Sequence, residues 1–180
     1  METINTPGPW PTSLKWGIIG GIVLVIVSYL GSMNVDWSSY ESIQASRKSP
    51  LQYLSYLILA LVIVMAQIEH RKKDLGGFMS YGRGVGVATI VAMGAGVCTA
   101  IYMYILFGML HPEFQQIIMD GALAEAGDMS PEQEESMISV MKMTTGPAAL
   151  GLFGFFGQVF IGLVIGLLSS IFIQKTDPQN

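Results

Sequence analysis

The sequence predicts an all-α integral membrane protein: a four-transmembrane-helix bundle with an outer, acidic, two-helix connector between helices 3 and 4. Three observations carry this. Four long stretches, 16–33, 51–68, 84–110 and 147–174, contain no Asp, Glu, Lys, Arg or His. The chain of 180 residues is 51% hydrophobic and only 12% charged, against about 25% charge in a soluble domain. The remaining charges sit almost entirely between the stretches. The shortest stretches hold 18 residues; at ~1.5 Å per residue they reach about 27 Å, close to the ~30 Å hydrocarbon core of a bilayer. With most residues in or near spans, 1–180 reads as a single membrane domain.

The N-terminal residues carry Glu2 and Lys15 but no basic run, so the first span reads as retained and not as a cleaved signal peptide. Neither Glu2 nor the Asp177-Pro-Gln-Asn180 terminus offers a lipidation box. Trp10 and Trp16 mark one edge of the first span, and Trp37 and Tyr40 lie past the other, as interfacial aromatics do. Gly17 and Gly21 form a close-packing face in that span. The connector 34–50 reads as a short loop or surface helix.

The second span, 51–68, leads into the basic linker Arg71, Lys72, Lys73, Asp74, Leu75, Gly76, Gly77, Phe78, Met79, Ser80, Tyr81, Gly82, Arg83. Gly76-Gly77 allows a turn with positive φ, and Ser80 can cap the third helix. Phe78 and Tyr81 are expected at headgroup level. Arg71, Lys72, Lys73, Phe78, Tyr81 and Arg83 are therefore the candidate contacts for a partner or an anionic lipid. The glycines do not make a phosphate loop, because no strand precedes them and no Gly-Lys-Ser/Thr follows. Cys98, alone in the third span, excludes an internal disulfide and a multi-thiolate metal site; it reads as a small buried hydrophobe.

The connector 111–146 is too long for a structureless loop. Pro112 can start a helix with Phe114, Ile117, Ile118 and Ala122 on one face, which Gly121 weakens and Gly127 stops. A second begins at Ser130-Pro-Glu-Gln133, a capping box, followed by a stripe of Met137, Ile138 and Met141. Its acids are not spaced as a calcium loop and read as a solvated face. The fourth span is glycine-rich, with Gly154, Gly162 and Gly166 assigned to helix packing.

Basic residues favour the cytoplasmic side. With both termini inside, that face holds Lys15, Arg71, Lys72, Lys73, Arg83 and Lys175, against Arg47, Lys48 and Lys142 outside. Both termini are thus expected in the cytoplasm.

Ionisable groups at depth mark ion and proton pathways, and the four stretches have none. Gln158, Thr99 and Tyr102 are the candidate buried polar residues, with Gln158 expected to form an interhelical hydrogen bond. No His/Asp/Glu set, nucleophile with a base, or metal-ligand spacing is read along the chain. No catalytic residue, cofactor or metal is expected, and nothing points to nucleic acid.

The linker Lys73-Asp-Leu-Gly-Gly-Phe-Met-Ser-Tyr-Gly82 and the exit Tyr102-Met-Tyr-Ile-Leu-Phe-Gly-Met-Leu-His-Pro-Glu-Phe114, with the glycine-rich first and fourth spans, resemble the family catalogued as domain of unknown function 4199. The resemblance covers most of the chain and implies a small four-helix inner-membrane protein of the Bacteroidota. It assigns no activity, and implies a setting in envelope or polyprenol-linked glycan assembly. At Tyr81-Gly82 the sequence departs from the family pattern, so no polar role carries over there.

The expected function is a non-enzymatic partner subunit or scaffold of the bacterial inner membrane. Its partners are the lipid bilayer and a second copy or another membrane protein. The alternative is a small-molecule or lipid carrier, acting as an oligomer, with Gln158 and the tyrosines lining a cavity. An enzyme acting on lipid-linked substrates is disfavoured by the lack of acids and His at depth.

Overall fold

The structure, a computed structural model, describes residues 8–175. The segments around Glu2 and 177–180, read above for targeting signals, lie outside the described residues. Helix α1 spans Trp10–Ser32, α2 Tyr40–Ser46, α3 Leu51–Glu69, α4 Tyr81–Ile105, α5 Phe114–Ala126, α6 Pro131–Thr145 and α7 Pro147–Ile173. Two π-helical turns, His70–Asp74 and Leu106–Leu110, extend α3 and α4. Four helices are long and apolar enough to cross a membrane, giving the chain the make-up of a multi-pass membrane protein.

The apolar stretches fix where these helices lie, and the polar residues beside them move the ends. Helix α1 begins six residues before the apolar stretch, at Trp10, since Pro11 in its first turn gives up no ladder hydrogen bond. Helix α3 does not stop at residue 68. It runs into the π turn and stays helical to Asp74. Ser80 caps α4 by accepting the Arg83 N–H at 3.4 Å. Ser130 and Gln133 form a reciprocal capping box at α6. Gly76 and Gly77 (φ 64° and 104°) turn the linker, and Gly127 (φ 70°) ends α5.

Helix α4 is central, packed on α7 and α1, while α3 closes against all three. Its Gly/Ala-rich stretch makes that position possible, with Gly84, Val87, Ala88, Val91, Ala92, Gly94, Ala95 and Gly96 all buried. The core adds Leu24, Leu59, Val62, Ile63 and Ala66. Small residues let backbones approach, and van der Waals contact then holds helices together without help from water. A Cβ on Gly17 would lie 2.8 Å from the Val91 carbonyl oxygen and 3.1 Å from Gly94 Cα. On Gly21 it would meet Cys98 at 2.7 Å. On Gly162 and Gly166 it would collide with the methyls of Ala92 and Ala88. Gly154 differs: its nearest neighbour would be Thr99 Cγ2 at 3.5 Å, an ordinary contact. Cys98 is half-buried, lying where α1 and α4 meet. The outward faces of α1 and α7 expose Ile22, Ile26, Leu30, Phe153, Phe160 and Phe172.

A second, smaller core lies where α2 and α5 meet, built from Ile43, Phe114 and Ile118 with Trp37, Tyr40 and Phe107 around them. Trp37 stacks on His111 (5.0 Å between centroids) and meets Phe107 and Phe114 edge-on. The Tyr40 ring fills the space a side chain at Gly121 would need, so this glycine seats an aromatic and the helix runs on through it. Helix α6 has no buried residue.

Candidate functional site

Polar side chains gather at the two ends of the long helices, and each end is built differently. At the end carrying the 70–83 linker, nearly every polar group is engaged by another. Helix α3 presents Gln67, His70 and Asp74 at intervals of three and four, so they share one face. His70 is fully buried. Its Nδ1 lies 2.7 Å from Asp74 Oδ2, and Arg83 Nε donates to its Nε2 at 3.1 Å. Arginine has only donors, so Nε2 must accept and Nδ1 carries the hydrogen. Thr12 of α1 donates to the same Asp74 oxygen at 2.6 Å. Glu69 receives Lys15 and the Trp16 indole, both at 2.6 Å, and Lys73 at 3.1 Å.

The same end is clasped to α7. Gln67 Nε2 donates to the Gly84 carbonyl and to Ser170 Oγ, at 3.1 and 3.0 Å. Arg71 Nη1 donates to the Ile173 carbonyl at 2.8 Å, capping α7. Met79 and Lys175 exchange two backbone hydrogen bonds of 3.0 Å. Lys175 Nζ lies 5.6 Å over the Phe78 ring, and Tyr81 donates to the Leu167 carbonyl at 3.2 Å. Two buried atoms here, Ser13 Oγ and Gln67 Oε1, have no hydrogen-bond partner among the described residues.

The basic linker is therefore largely an internal tie. Arg71, Lys73, Phe78, Tyr81 and Arg83 all contact the chain itself; Lys72 is exposed. The structure also corrects the reading that no His and Asp come together, because the π turn joins His70 to Asp74. That pair is not arranged for general base catalysis, which needs one free imidazole nitrogen: both nitrogens of His70 are engaged. Among the described residues, no group of three or more His, Cys, Asp or Glu could hold a metal ion.

At the opposite end, α1, α3 and α4 separate and leave a cup of about 570 Å³, a volume typical of ligand sites. Val27, Ser28 and Ser32 of α1 form one wall, Gln52 and Ser55 of α3 another, and Tyr102, Met103, Leu106 and Phe107 a third. The α2 segment contributes Ser42, Ser46 and Arg47 over it. Some of these groups are already engaged. Tyr102 donates to Ser32 Oγ at 3.4 Å, Ser32 to the Tyr29 carbonyl at 2.7 Å, and Ser46 to the Ile43 carbonyl at 2.7 Å. Ser28, Asn34 and Arg47 also line the cup.

Of the candidate buried polar residues, only Tyr102 lines this cup. Thr99 returns its hydroxyl to the Ala95 carbonyl of its own helix at 3.1 Å. Gln158 is half-buried beside the α7 packing face, and its side chain makes no hydrogen bond among the described residues. The amide that bridges helices is Gln67, which sequence reasoning passed over. The signal was present: Gln67, His70 and Asp74 fall on one face of a helix that outlasts its apolar stretch.

No curated protein matches the chain, and neither does any solved structure. A family profile does match, from Lys15 to Lys175, nearly the whole length and both polar ends. The chain belongs to this family, the proteins of unknown function designated DUF4199.

Proposed function

We propose that this chain is a non-enzymatic, multi-pass protein of the bacterial inner membrane whose four-helix bundle holds a small amphiphile or lipid in the cup. The cup is the single observation that carries the proposal. It is the one place at either end where apolar walls and unengaged polar groups surround open volume. This is the carrier alternative, with its site at Ser28, Arg47 and Tyr102 in place of Gln158. Both termini lie in the cytoplasm and the cup faces outward, an orientation supported by the excess of Lys and Arg at the linker end.

Two measurements test this. Native mass spectrometry of protein released from nanodiscs should show a bound small molecule. Ser28→Trp, which fills the cup, should remove it. Persistence of the adduct in that variant would place binding elsewhere. For orientation, Cys introduced at Ser136 should react with an impermeant maleimide in intact spheroplasts, and Cys at Lys72 should not. The reverse pattern would turn the cup inward.

The partner-subunit reading rests on a different surface. Helix α6 carries Val140 and Met143 exposed (60% and 77%) beside Glu132, Glu134 and Glu135. An apolar strip edged by acids suits a basic, apolar-faced protein partner. Crosslinking from Met143→Cys in native membranes would recover one. The family's setting in envelope assembly accommodates both readings.

A further inference from the structure

The cup's lining carries one formal charge, and it is positive. Arg47 stands at the mouth, just past the end of α2, and makes no hydrogen bond or ion pair among the described residues. No carboxylate lines the volume. The nearest acid in sequence, Asp36, has its Oδ1 held by the backbone N–H and hydroxyl of Ser38 at 3.0 and 2.6 Å.

The other unengaged groups are also donors. Ser28 is half-buried on α1, and its hydroxyl makes no hydrogen bond within the described residues. That is unlike Thr89 and Thr99, which bond the carbonyl four residues back. Ser42 Oγ accepts the Asp36 N–H at 3.0 Å and keeps its own hydrogen to give. Beneath these groups the walls become apolar at Val27, Leu106 and Phe107.

A site that offers donors and one guanidinium, and no carboxylate, selects an acceptor-rich anion. The guanidinium fork suits phosphate in particular. Charge at the mouth with apolar walls below is also the polarity order of a lipid in the adjoining leaflet. We infer that the cup binds a phosphate-bearing amphiphile, with the phosphate on Arg47 and the start of its apolar part against Phe107 and Leu106. This inference rests on the cup reading above and names its ligand class.

The test uses the full chain in nanodiscs and three probes: a short-chain phosphatidic acid, the diacylglycerol with the same chains, and glycerol 3-phosphate. Phosphatidic acid should bind about tenfold more tightly than diacylglycerol, the size of one charge-assisted hydrogen-bond pair. Arg47→Gln should bring the two lipids to near-equal affinity with an unchanged melting temperature, and Arg47→Lys should restore part of the preference. Equal binding of both lipids to the wild type, or a preference that survives Arg47→Gln, would overturn the inference and leave the cup reading standing. Competition by glycerol 3-phosphate as effective as that by phosphatidic acid would overturn the amphiphile half, since the phosphate would then come from solution. If neither lipid binds, or Ser28→Trp leaves binding intact, the cup reading itself fails.

Discussion

The two polar ends of this protein use similar side chains to opposite effect. At the linker end, Arg71, Lys73, Arg83, Glu69, Asp74 and His70 are tied to one another or to helix carbonyls. At the cup end, Arg47 and Ser28 line an open volume with no partner within the described chain. The contrast separates charge from availability. A basic triplet is the most visible feature of the sequence, yet two of its three members hold α3 and α7 in place. The arginine that faces a cavity is flanked only by Ser46 and Lys48.

Substitutions that remove structure at one end and only ligand at the other make this contrast measurable. The largest effect is expected at His70. Its loss strands Arg83 and Asp74, and breaking a buried polar pair costs about 3–5 kcal/mol. His70→Ala should therefore lower the unfolding free energy in detergent by an amount of that order. A loss below ~1 kcal/mol, the size of an exposed pair, would mean that the clasp is not structural.

Next comes the packed middle between the ends. An isoleucine at Gly162 must displace Ala92 on the central helix, and overpacking costs ~1–3 kcal/mol. Gly157 has nothing within 4 Å of its would-be Cβ, so Gly157→Ile serves as the control. Thermal melts should separate the two clearly; equal melts would show that α7 shifts to absorb the added volume.

The basic triplet should split in the same assay. Arg71→Gln loses a charge-assisted cap on α7, about 1.5–3 kcal/mol at most. Lys72→Gln, exposed and away from these ties, should fall within ±0.5 kcal/mol. Equal effects of the two would argue that the linker acts as a diffuse charged patch after all.

The smallest stability effect belongs to the cup. Arg47→Gln and Ser28→Ala should each change stability by less than ~0.5 kcal/mol, while Ser28→Trp removes the bound adduct. If Arg47→Gln destabilises as much as His70→Ala, the two ends are alike and the contrast collapses.

The four long helices were legible because an uncharged stretch long enough to span a bilayer has few other physical uses. The capping box at Ser130, the glycine turn at 76–77 and the stop at Gly127 were legible because their chemistry is local. The choice between Gln158 and Gln67 was not. Both amides sit in stretches that are apolar on every side, and only tertiary packing decides which one turns inward. His70 was hidden by reading the helix as ending where its apolar stretch ends. The cup was out of reach for a different reason: it depends on where α1 and α3 part. They are in close contact at Gly20 and Val62 and open by Ser28 and Ser55, and no residue pattern announces that divergence.

The two π turns carry a consequence for chain length. Such a turn holds one residue more than the α ladder around it needs. Removing one residue within 70–74 would let α3 rewind as a plain helix, and everything after the cut would rotate by ~100° about its axis. Asp74 would swing away from Thr12 and His70, with no side chain altered. The same deletion within 106–110, where the His111 N–H reaches back to the Leu106 carbonyl at 2.8 Å, would carry His111 off the Trp37 ring. At these two places, insertions and deletions are the mutations to fear, more than any substitution.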